Sequence, residues 1–404
     1  MGADVGRIFE DFLSKRSIFV NKDALTIKFN PENIPHREEE INALAKVLAP
    51  ALRQERPSNI FIYGKTGTGK TLSVHYVTQE LEKLAAKKQI SLKAIYLNCK
   101  MRKVVDTEYR LIAQLAREFG HEIPATGLPT DEVYKIFYNA IDKEPGYTII
   151  LVLDEVDRLV EKCGDEVLYN LTRINQELKY SRISIVGISN DVTFTKNLDP
   201  RVKSSLNEEE IIFPPYDAIQ LKDILSERAK IAFNQAAITE SLIAKCAAYA
   251  AREHGDARRA LDLLRVAGEL AERANKDKLD EKDIDIAEEK IESETVEQIA
   301  KKLTKQSQAV FYSTLLILQS RKPPIFTGEM YDVYKSICIR TASKVLTQRR
   351  VSDLISELDM LGVINAKVVS KGRYGRTREI SLSMPEDVIA RVEEILKSEL
   401  SLQP

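Results

Sequence analysis

The sequence predicts an α/β protein in which a parallel sheet is followed by a helical block and a terminal module with a hairpin. Three observations support this fold class. Short apolar runs alternate with helical patterns between residues 59 and 213. After Phe213-Pro214-Pro215 the pattern becomes wholly helical, and the last hundred or so residues combine three helical patterns with two strand-like runs. A length of 404 residues allows two to four domains of ordinary size.

The predicted strands of the first region are largely apolar, which is typical of a parallel sheet covered on both faces by helices. They are Asn59–Tyr63, Leu92–Asn98, Thr148–Leu153, Ile183–Ser189 and Ile211–Phe213. We expect residues 1–29 to form an N-terminal arm, residues 30–215 the α/β domain, residues 216–299 the helical block and residues 300–404 the terminal module. The polar stretch Glu292–Glu297 suggests the last of these boundaries.

The helical block begins several of its helices with residues that favour N-caps. Asp217, Thr239 and Asp256 each precede apolar residues spaced three and four apart. A fourth, charged helix is predicted after Asp280. The block therefore reads as a small helical bundle.

The terminal module combines helical patterns at 306–319, 328–339 and 347–361 with two strands at 363–369 and 377–382. The third helix places Val351, Leu354, Ile355, Leu358 and Leu361 on one face. Gly372 and Gly375 lie near the tip between the strands, which favours a hairpin. Three helices followed by a basic hairpin indicate a winged helix-turn-helix.

Charge is distributed unevenly along the chain. The net charge is -1, from 60 Lys and Arg against 61 Asp and Glu. Residues 301–404 nevertheless carry 17 basic against 11 acidic side chains, and residues 335–378 carry ten against three. A basic face on one terminal module suits a partner with a phosphate backbone, although an ordinary solvated surface explains the charge alone equally well.

Several functional classes are excluded by composition. The N-terminal stretch has no apolar run of the 7–15 residues found in secretory signals, and no run approaches the 18 residues of a membrane span. Cys99, Cys163, Cys246 and Cys338 lie far apart, and the four His residues are equally scattered. We therefore expect a cytoplasmic protein, associated with the nucleoid and not with a membrane, with reduced cysteines and no zinc site.

One segment has the spacing of a phosphate-binding loop. It matches G-x-x-x-x-G-K-[ST] in full, and it lies between a predicted strand and a helical run at 72–86. Glycines let backbone N–H groups and a helix N-terminus face anionic oxygens. Lys70 would reach the β- and γ-phosphates of ATP or ADP, and the Thr71 hydroxyl would ligate Mg²⁺. The whole loop comprises Gly64, Lys65, Thr66, Gly67, Thr68, Gly69, Lys70 and Thr71.

Polar residues follow two other predicted strands. Asp154 and Glu155 end the third strand, at the sheet edge where the phosphate loop also lies. Asp154 would be the second anchor for Mg²⁺, and Glu155 would polarise the water that attacks the γ-phosphate. Asn190 ends the fourth strand and could hold that water or sense the γ-phosphate. Taken alone, the acidic pair could be a simple strand end and Asn190 a turn residue.

The order of these parts resembles an AAA+ ATPase, and within that class the archaeal origin-recognition initiators, kin of the eukaryotic origin-recognition and licensing ATPases. The resemblance extends from about residue 20 to the end. It is carried by the phosphate loop, the terminal winged helix and four shorter segments, which are Asn30–Glu38, Leu151–Asp157, Leu198–Val202 and Gly255–Asp262. It implies an AAA+ phosphate-loop domain at 30–215, a helical lid at 216–299 and a winged-helix DNA-binding domain at 300–404.

The resemblance also implies residue roles. Asn190 resembles the first sensor, Arg258 the second-sensor arginine, and Arg201 an arginine finger that serves a neighbour's nucleotide. The adenine pocket would draw on the segment from Ile34 to Arg37 and on Tyr216 and Arg228. Arg259 follows Arg258 directly, about 100° away on a helix, so only one of them can face the phosphates and the sequence leaves the choice open. For each arginine, a surface salt bridge is the simpler alternative.

Two regions would contact DNA. The family inserts a helical element after the second strand, and residues 101–127 occupy that place, with basic Arg102, Lys103 and Arg110. The third helix of a winged helix enters the major groove with its N-terminal residues nearest the bases, and the hairpin tip suits phosphate or minor-groove contact. The candidates are Thr347, Gln348, Arg349, Arg350 and Ser352 on the helix, and Lys371, Arg373, Tyr374 and Arg376 on the hairpin.

The resemblance thus predicts an ATP-dependent replication initiator that binds duplex DNA at origins. Its nucleotide state would control assembly with other initiator protomers and loading of the replicative helicase, and its ATPase activity would be weak. Two alternatives remain open at this point. One is a DNA-binding regulator whose nucleotide is structural, and the other is a clamp-loader-like ATPase.

Overall fold

The computed structural model describes residues 17–26, 29–31, 33–100, 107–124, 126–191, 193–194, 198–206, 208–320, 325–370, 376–382, 384 and 386–402. The chain forms two compact units, Met1–Ile284 and Asp285–Pro404. The domain boundaries expected at residues 29, 215 and 299 stay predictions. The polar stretch Glu292–Glu297 lies inside a continuous helix, Glu281–Lys302.

A five-stranded parallel sheet organises the first unit and confirms the predicted fold class. Its strands are β1 (Asn59–Tyr63), β2 (Leu92–Asn98), β3 (Thr148–Asp154), β4 (Arg182–Ser189) and β5 (Glu208–Ile212). The strand order is β2-β3-β4-β1-β5. Because all five strands are parallel, their carboxyl ends meet at one edge.

The fifth strand differs from its prediction at 211–213. It pairs with β1 from Asn59 opposite Glu208 to Tyr63 opposite Ile212. As an edge strand it has one free side, and its Glu209 and Glu210 are exposed. Charged residues are common on such edges because they block pairing with another chain, so a search for apolar runs finds only part of this strand.

The central strands alternate their side chains between two apolar layers. Phe61, Leu151 and Ile185 belong to one core cluster. Ile60, Val152 and Val186 belong to the other. A strand buried on both faces needs apolar residues at every position, which explains the continuous apolar runs in the sequence.

Helices cover both layers and form the block that follows the sheet. Around the sheet lie α1 (Glu38–Leu48), α2 (Lys70–Lys87), α3 (Glu108–Arg117), α4 (Thr130–Ile141), α5 (Val156–Cys163), α6 (Glu166–Glu177) and α7 (Pro200–Leu206). The helical block contains α8 (Ala218–Ala232), α9 (Glu240–Glu253) and α10 (Ala257–Arg273). Asp217 and Asp256 cap α8 and α10 with their side chains, whereas Thr239 Oγ1 lies 2.9 Å from Ser241 Oγ.

The N-terminal segment, defined here as residues 17–25, packs on this helical block. A 3₁₀ helix, Lys22–Leu25, follows a short bridge between Phe19 and Phe233, whose rings lie 4.7 Å apart. Lys22 Nζ lies 2.7 Å from Glu269 Oε1. A Cβ atom on Gly268 would lie 2.4 Å from the Phe19 ring, so the ring needs a glycine there. The expected arm is therefore, over these residues, part of the packed structure.

The second unit has the predicted helices and hairpin. The helix α11 (Glu281–Lys302) enters it, followed by α12 (Lys305–Ser320), α13 (Thr327–Arg340), α14 (Gln348–Met360) and α15 (Glu386–Glu399). Three antiparallel strands, β6 (Ile325–Phe326), β7 (Asn365–Ser370) and β8 (Arg376–Ser381), pair in the order β6-β8-β7. Among the described residues, no helix is both long and apolar enough to cross a membrane.

Candidate functional site

The predicted phosphate loop lies between β1 and α2, as its sequence context requires. Gly67 and Gly69 have φ of 73° and 91°, in the left-handed region that favours glycine. Gly69 is also crowded, because a Cβ atom there would lie 2.7 Å from the Tyr216 hydroxyl. The loop thus needs glycines both for its backbone conformation and for the close approach of neighbouring groups.

Lys70 begins α2 and is almost buried, with 6% of its surface exposed. Its ammonium donates to Gly64 O at 2.7 Å, Lys65 O at 2.8 Å and Asn190 Oδ1 at 2.9 Å. A lysine has three N–H donors, so two loop carbonyls and the Asn190 amide oxygen satisfy all of them. Burial lowers the pKa of Lys70 to about 8, against the opposing effect of the Asp154 carboxylate. An anion bound in the loop would restore the ordinary preference for the charged form.

Asp154 ends β3 and accepts hydrogen bonds from three donors, on α2, on β2 and in the turn that follows β3. The Thr71 hydroxyl donates to Oδ2 at 3.0 Å, and the Tyr96 hydroxyl donates to the same oxygen at 2.5 Å. The backbone N–H of Glu155 donates to Oδ1 at 2.9 Å. The Thr71 hydroxyl and the Asp154 carboxylate are hard oxygen donors beside the phosphate loop, which is the set that Mg²⁺ prefers.

Glu155 precedes α5 and adopts a left-handed backbone conformation, with φ of 54° and ψ of 49°. Such a conformation costs about 1–3 kcal/mol in a non-glycine residue and is found preferentially at functional sites. Its carboxylate lies 3.5 Å from Lys100 Nζ. The turn places the side chain next to Asp154, at the same sheet edge as the phosphate loop.

Asn190 follows β4 directly, and its neighbour Ser189 lies opposite Tyr63 in the register of β4 and β1. The register therefore brings the Asn190 amide to the base of the loop, where it accepts a hydrogen bond from Lys70. Lys70, Thr71, Asp154, Glu155 and Asn190 thus share one edge of the sheet.

The helical block contacts the phosphate loop through the start of α10. Ala257 N donates to Gly67 O at 3.2 Å, and a Cβ atom on Gly67 would lie 1.6 Å from Asp256 Oδ1. Asp256 caps the helix by accepting from Arg258 N at 2.8 Å. The N-terminus of α10 is therefore set directly onto the loop.

The two adjacent arginines of α10 have different surroundings. Arg259 donates from Nη2 to Glu253 Oε1 at 3.3 Å, and its Nε lies 3.1 Å from Glu253 Oε2. Arg258 is exposed, and its positive charge contributes to lowering the pKa of Lys70. Glu253 thus holds Arg259, and the geometry favours Arg258 as the arginine that faces the loop.

Of the expected adenine-pocket residues, Arg37 and Tyr216 come together. The Arg37 guanidinium lies 3.8 Å from the centroid of the Tyr216 ring and is 1% exposed. It donates to Thr68 O at 2.8 Å and to Pro214 O at 2.5 Å. Ile34 is buried nearby in sequence. Arg37 therefore joins the phosphate loop to the start of the helical block.

Arg228 is also buried, but its contacts lie with residues near the chain's N-terminus. It donates to Ala24 O at 3.2 Å and to Phe29 O at 3.5 Å, and its guanidinium lies 4.5 Å from the centre of the Phe29 ring. The structure therefore gives Arg228 a role in holding this stretch of chain. Its place in an adenine pocket stays a prediction.

Arg201 lies at the start of α7 with 85% of its side chain exposed. Asp199 orients it, with Nε donating to Oδ1 at 3.1 Å and Nη2 to Oδ2 at 3.3 Å. Together with Arg56 and Arg173 it lines an open cavity of about 680 Å³. An arginine so exposed and so oriented is accessible to another molecule.

The start of α14 is exposed on its polar side. Thr347 caps it by accepting from Arg350 N, at 3.4 Å. Gln348, Arg349 and Arg350 are exposed and Ser352 is half-buried. Of the hairpin candidates, Lys371, Arg373 and Tyr374 lie outside the described residues, and Arg376 begins β8. Arg102 and Lys103 of the expected inserted element also lie outside them.

Sequence reasoning missed three residues of this site. Tyr96, Lys100 and Asp256 contact Asp154, Glu155 and the loop respectively. The signal for Tyr96 was its strand, because β2 lies beside β3 with Asn98 opposite Asp154. A polar side chain near the carboxyl end of that strand was therefore a candidate neighbour.

Comparison with known families agrees with this arrangement. Residues 53–188 match an AAA domain, residues 222–289 match the Cdc6 AAA+ ATPase-type lid domain, and residues 298–392 match the CDC6 C-terminal winged helix domain. These matches fall in the order expected from the sequence, and they confirm the predicted fold class of AAA+ domain, helical lid and winged helix.

Individual relatives extend over nearly the whole chain. An ORC1-type DNA replication protein of Pyrococcus abyssi is 52% identical over 98% of this chain and 94% of its own length. ORC1-type DNA replication protein 1 of Methanosarcina acetivorans is also 52% identical, with the same coverage. The Aeropyrum pernix ORC1 protein, solved in complex with DNA, matches with a TM-score of 0.79 and 44% identity over 95% of this chain and 98% of that one.

The predicted resemblance is therefore confirmed, and the clamp-loader-like alternative is not favoured, because lid and winged helix both match Cdc6 domains. An AAA+ domain with a complete phosphate loop is a nucleotide-binding domain. With half of its residues identical to proteins of this type along its whole length, the chain belongs to the family of archaeal ORC1-type DNA replication proteins.

Proposed function

We propose that this chain is an ATP-dependent replication initiator that binds duplex DNA at origins and changes its assembly with its nucleotide state. The observation that carries the proposal is the contact of the lid helix α10 with the phosphate loop, where Ala257 N lies 3.2 Å from Gly67 O. A nucleotide bound in the loop would lie beside this contact and would change its geometry. Occupancy would thereby set the angle between the sheet domain and the lid.

The nucleotide is ATP or ADP, held by its phosphates. Lys70 would exchange its present acceptors, two loop carbonyls and the Asn190 amide oxygen, for oxygens of the β- and γ-phosphates. Loop N–H groups and the N-terminus of α2 would face the same anions. Arg37, Tyr216 and Ile34 would line the adenine end, and Arg228 would act there through the segment it holds. Arg258 would reach the γ-phosphate from the lid.

Thr71 and Asp154 would hold Mg²⁺, since their oxygens already lie 3.0 Å apart. The cation, when bound, neutralises charge on the phosphates. Glu155 would polarise the attacking water, and Asn190 would orient that water or sense the γ-phosphate. Slow turnover is enough for this role, because a switch needs two states more than it needs rapid cycles.

Duplex DNA is the proposed partner of the winged helix. The Aeropyrum pernix relative was solved with DNA, and the helix α14 presents exposed Gln348, Arg349 and Arg350 at its start. Thr347 and Ser352 flank them. The hairpin residues Lys371, Arg373, Tyr374 and Arg376 would contact the backbone or minor groove. Part of residues 101–127 would add a second contact from the first unit.

Other protein partners follow from the same scheme. The exposed Arg201 would act on the nucleotide of a neighbouring initiator protomer, as an arginine finger. Assembly of protomers would serve loading of the replicative helicase. We place this work in the cytoplasm, at the nucleoid, where origin DNA lies.

Turnover by the Glu155→Gln variant tests the ATPase part of the proposal. We expect near-normal ATP affinity and hydrolysis at least ~10²-fold slower, the lower range for loss of a positioned general base. Glu161→Gln is the matched control, because this carboxylate lies on α5 and pairs with Arg158 at 2.7 Å. Unchanged turnover in Glu155→Gln would assign Glu155 a structural role, whereas little turnover in the wild-type chain, with or without DNA, would favour the regulator with structurally bound nucleotide.

Mapping of bound sites across the genome tests the origin part. An initiator should concentrate at the regions where replication starts, and occupancy should differ between wild type and Glu155→Gln, which holds ATP longer. Binding distributed over gene promoters, with no enrichment where replication starts, would contradict an initiator and again favour a regulator.

A further inference from the structure

Tyr96 is a residue of the nucleotide site that neither the phosphate-loop motif nor the acidic pair identifies. Its hydroxyl donates to Asp154 Oδ2 at 2.5 Å, the same oxygen that accepts from the Thr71 hydroxyl at 3.0 Å. The other carboxylate oxygen accepts from Glu155 N at 2.9 Å. Three donors, one on α2, one on β2 and one in the turn after β3, therefore hold this carboxylate in one orientation.

Tyr96 is itself held between two elements. It lies on β2, which pairs with β3 so that Tyr96 is opposite Val152. Its ring packs on the ring of His75, with the centroids 4.3 Å apart. His75 lies on α2, one helical turn beyond Thr71. The hydroxyl is thus aimed at Asp154 by a strand on one side and by the helix of the phosphate loop on the other.

We propose that Tyr96 is a positioning residue for the divalent cation that accompanies the nucleotide. This inference rests on the proposed function, in which Thr71 and Asp154 hold that cation. A bound cation would be offered lone pairs by the Thr71 hydroxyl and by the Asp154 carboxylate, which has about four lone-pair sites on its two oxygens. The hydrogen bond from Tyr96 need not break, because a carboxylate oxygen has a second lone pair. Tyr96 therefore keeps the carboxylate turned toward Thr71 throughout.

The size of the effect follows from the behaviour of hydrogen bonds to metal ligands. Removing such an outer partner typically costs 10–100-fold in metal affinity, because the ligand loses its fixed orientation. A purely structural role for Tyr96 would instead change the loop itself. It would then weaken nucleotide binding equally with and without the cation.

Tyr96→Phe tests the inference, because it keeps the ring against His75 and removes only the hydroxyl. Affinity of the full chain for a fluorescent ATP analogue is measured in EDTA and across a MgCl₂ titration, without reliance on hydrolysis. We expect affinity in EDTA to stay within about twofold of wild type. The MgCl₂ concentration that gives half of the cation-dependent gain should rise by roughly 10–100-fold.

Tyr109→Phe is the matched control, because its hydroxyl also donates a hydrogen bond, to Pro124 O at 2.7 Å, away from the loop. It should leave the MgCl₂ titration unchanged. A Tyr96→Phe protein with a wild-type titration would overturn the proposal. So would an equal loss of affinity in EDTA and in MgCl₂, since that pattern belongs to a structural role.

Thr71→Ala separates this inference from the proposed function. If Thr71 ligates the cation, the variant should lose the MgCl₂-dependent gain in affinity. Retention of that gain would reject the cation site at Thr71 and Asp154, and the role of Tyr96 with it. Loss of the gain in Thr71→Ala together with a normal titration in Tyr96→Phe would reject the role of Tyr96 alone.

Discussion

The phosphate loop and the start of α14 present their positive charges in opposite ways. Lys70 is 6% exposed and its ammonium contacts three acceptors. Arg349 is exposed, and Arg350, with 56% of its side chain exposed, lies 3.7 Å and 3.9 Å from Asp353 and Glu357. The Lys70 charge is fixed before its ligand arrives, whereas the two arginine side chains are exposed and Arg350 is held only by surface ion pairs.

This difference predicts how each region responds to mutation. The side chains of a preformed site are already ordered before the ligand binds, so binding costs little further conformational entropy. Each of these side chains also contacts several others, so one substitution there disturbs several hydrogen bonds at once. Exposed arginines lose most of their rotamer freedom on binding. Their contributions to the free energy of DNA binding should therefore be nearly additive. Single substitutions should therefore reduce binding sharply in the nucleotide site and only partly in α14, the helix proposed to bind DNA.

The largest effect is expected from Lys70→Ala. Hydrogen bonds to charged groups contribute about 1.5–3 kcal/mol each, so losing two phosphate contacts should weaken ATP binding on the order of 10²–10⁴-fold. The fold should persist, because the change removes a buried charge with a lowered pKa. ATP titration and thermal unfolding of Lys70→Ala measure both, with Lys83→Ala on the same helix as control. A normal ATP affinity would contradict the proposed site.

A smaller effect is expected from Arg349→Ala. If Arg349 reads a base, the variant should lose roughly 1–3 kcal/mol for preferred duplex and part of its sequence preference. Arg350→Ala should cost less, because Asp353 and Glu357 compete for its guanidinium. Titration of labelled duplexes at several salt concentrations measures this, and Lys397→Ala, which removes a charge paired with Glu393, is the control. Equal losses of duplex affinity in Arg349→Ala, Arg350→Ala and Lys397→Ala would indicate that only the positive charge of these residues contributes to DNA binding.

The affinity for nucleotide should change by about tenfold per pH unit at most. Lys70 has a pKa of about 8 without ligand, below its ordinary value of 10.5, and bound phosphates should raise it. Binding therefore takes up a proton above pH 8, so affinity is constant below that pH and falls as pH rises above it. Titrations in EDTA between pH 7 and 9.5 measure this. Lys70→Arg, which stays charged, should show a flat profile, and a flat wild-type profile would contradict the argument.

The smallest effect is expected from Gly67→Ala compared with Gly120→Ala. Both glycines have positive φ, 73° and 82°, so an alanine costs about 1–2 kcal/mol of backbone strain at either position. Only Gly67 also meets Asp256, whereas the described residues leave open space around Gly120. Displacing the Asp256 cap in Gly67→Ala should lower the free energy of unfolding by about 1 kcal/mol more than Gly120→Ala does, which corresponds to roughly 2–4 °C in Tm. Equal Tm values would mean that the lid does not rest on the loop.

Local patterns were enough to predict the strands, the loop and the winged helix. The loop is a contiguous motif, and β3 is apolar at each position from Ile149 to Leu153 because both of its faces are covered. The edge strand β5 was only partly found, since its exposed Glu residues break that pattern. Apolar periodicity reports burial, and it loses its signal where burial ends.

Contacts between distant residues could not be predicted in the same way. Tyr96 and Asp154 are 58 residues apart, and their hydrogen bond depends on the register of β2 against β3 and on one rotamer. Arg258 and Arg259 have different surroundings because Glu253, which lies before the cap of α10, pairs with Arg259. The orientation of such side chains depends on residues distant in the sequence, and motif spacing does not identify those residues.

The packing of the N-terminal segment on the lid has a practical consequence for limited proteolysis and for shortened proteins. Phe19 fills the space above Gly268 and Phe233, and Arg228 holds the carbonyl of Ala24. A chain cut after residue 29 would leave the Phe233 ring and the buried Arg228 guanidinium open to water. Proteins that start there should be less soluble, and protease protection near residue 25 should report whether the lid is intact.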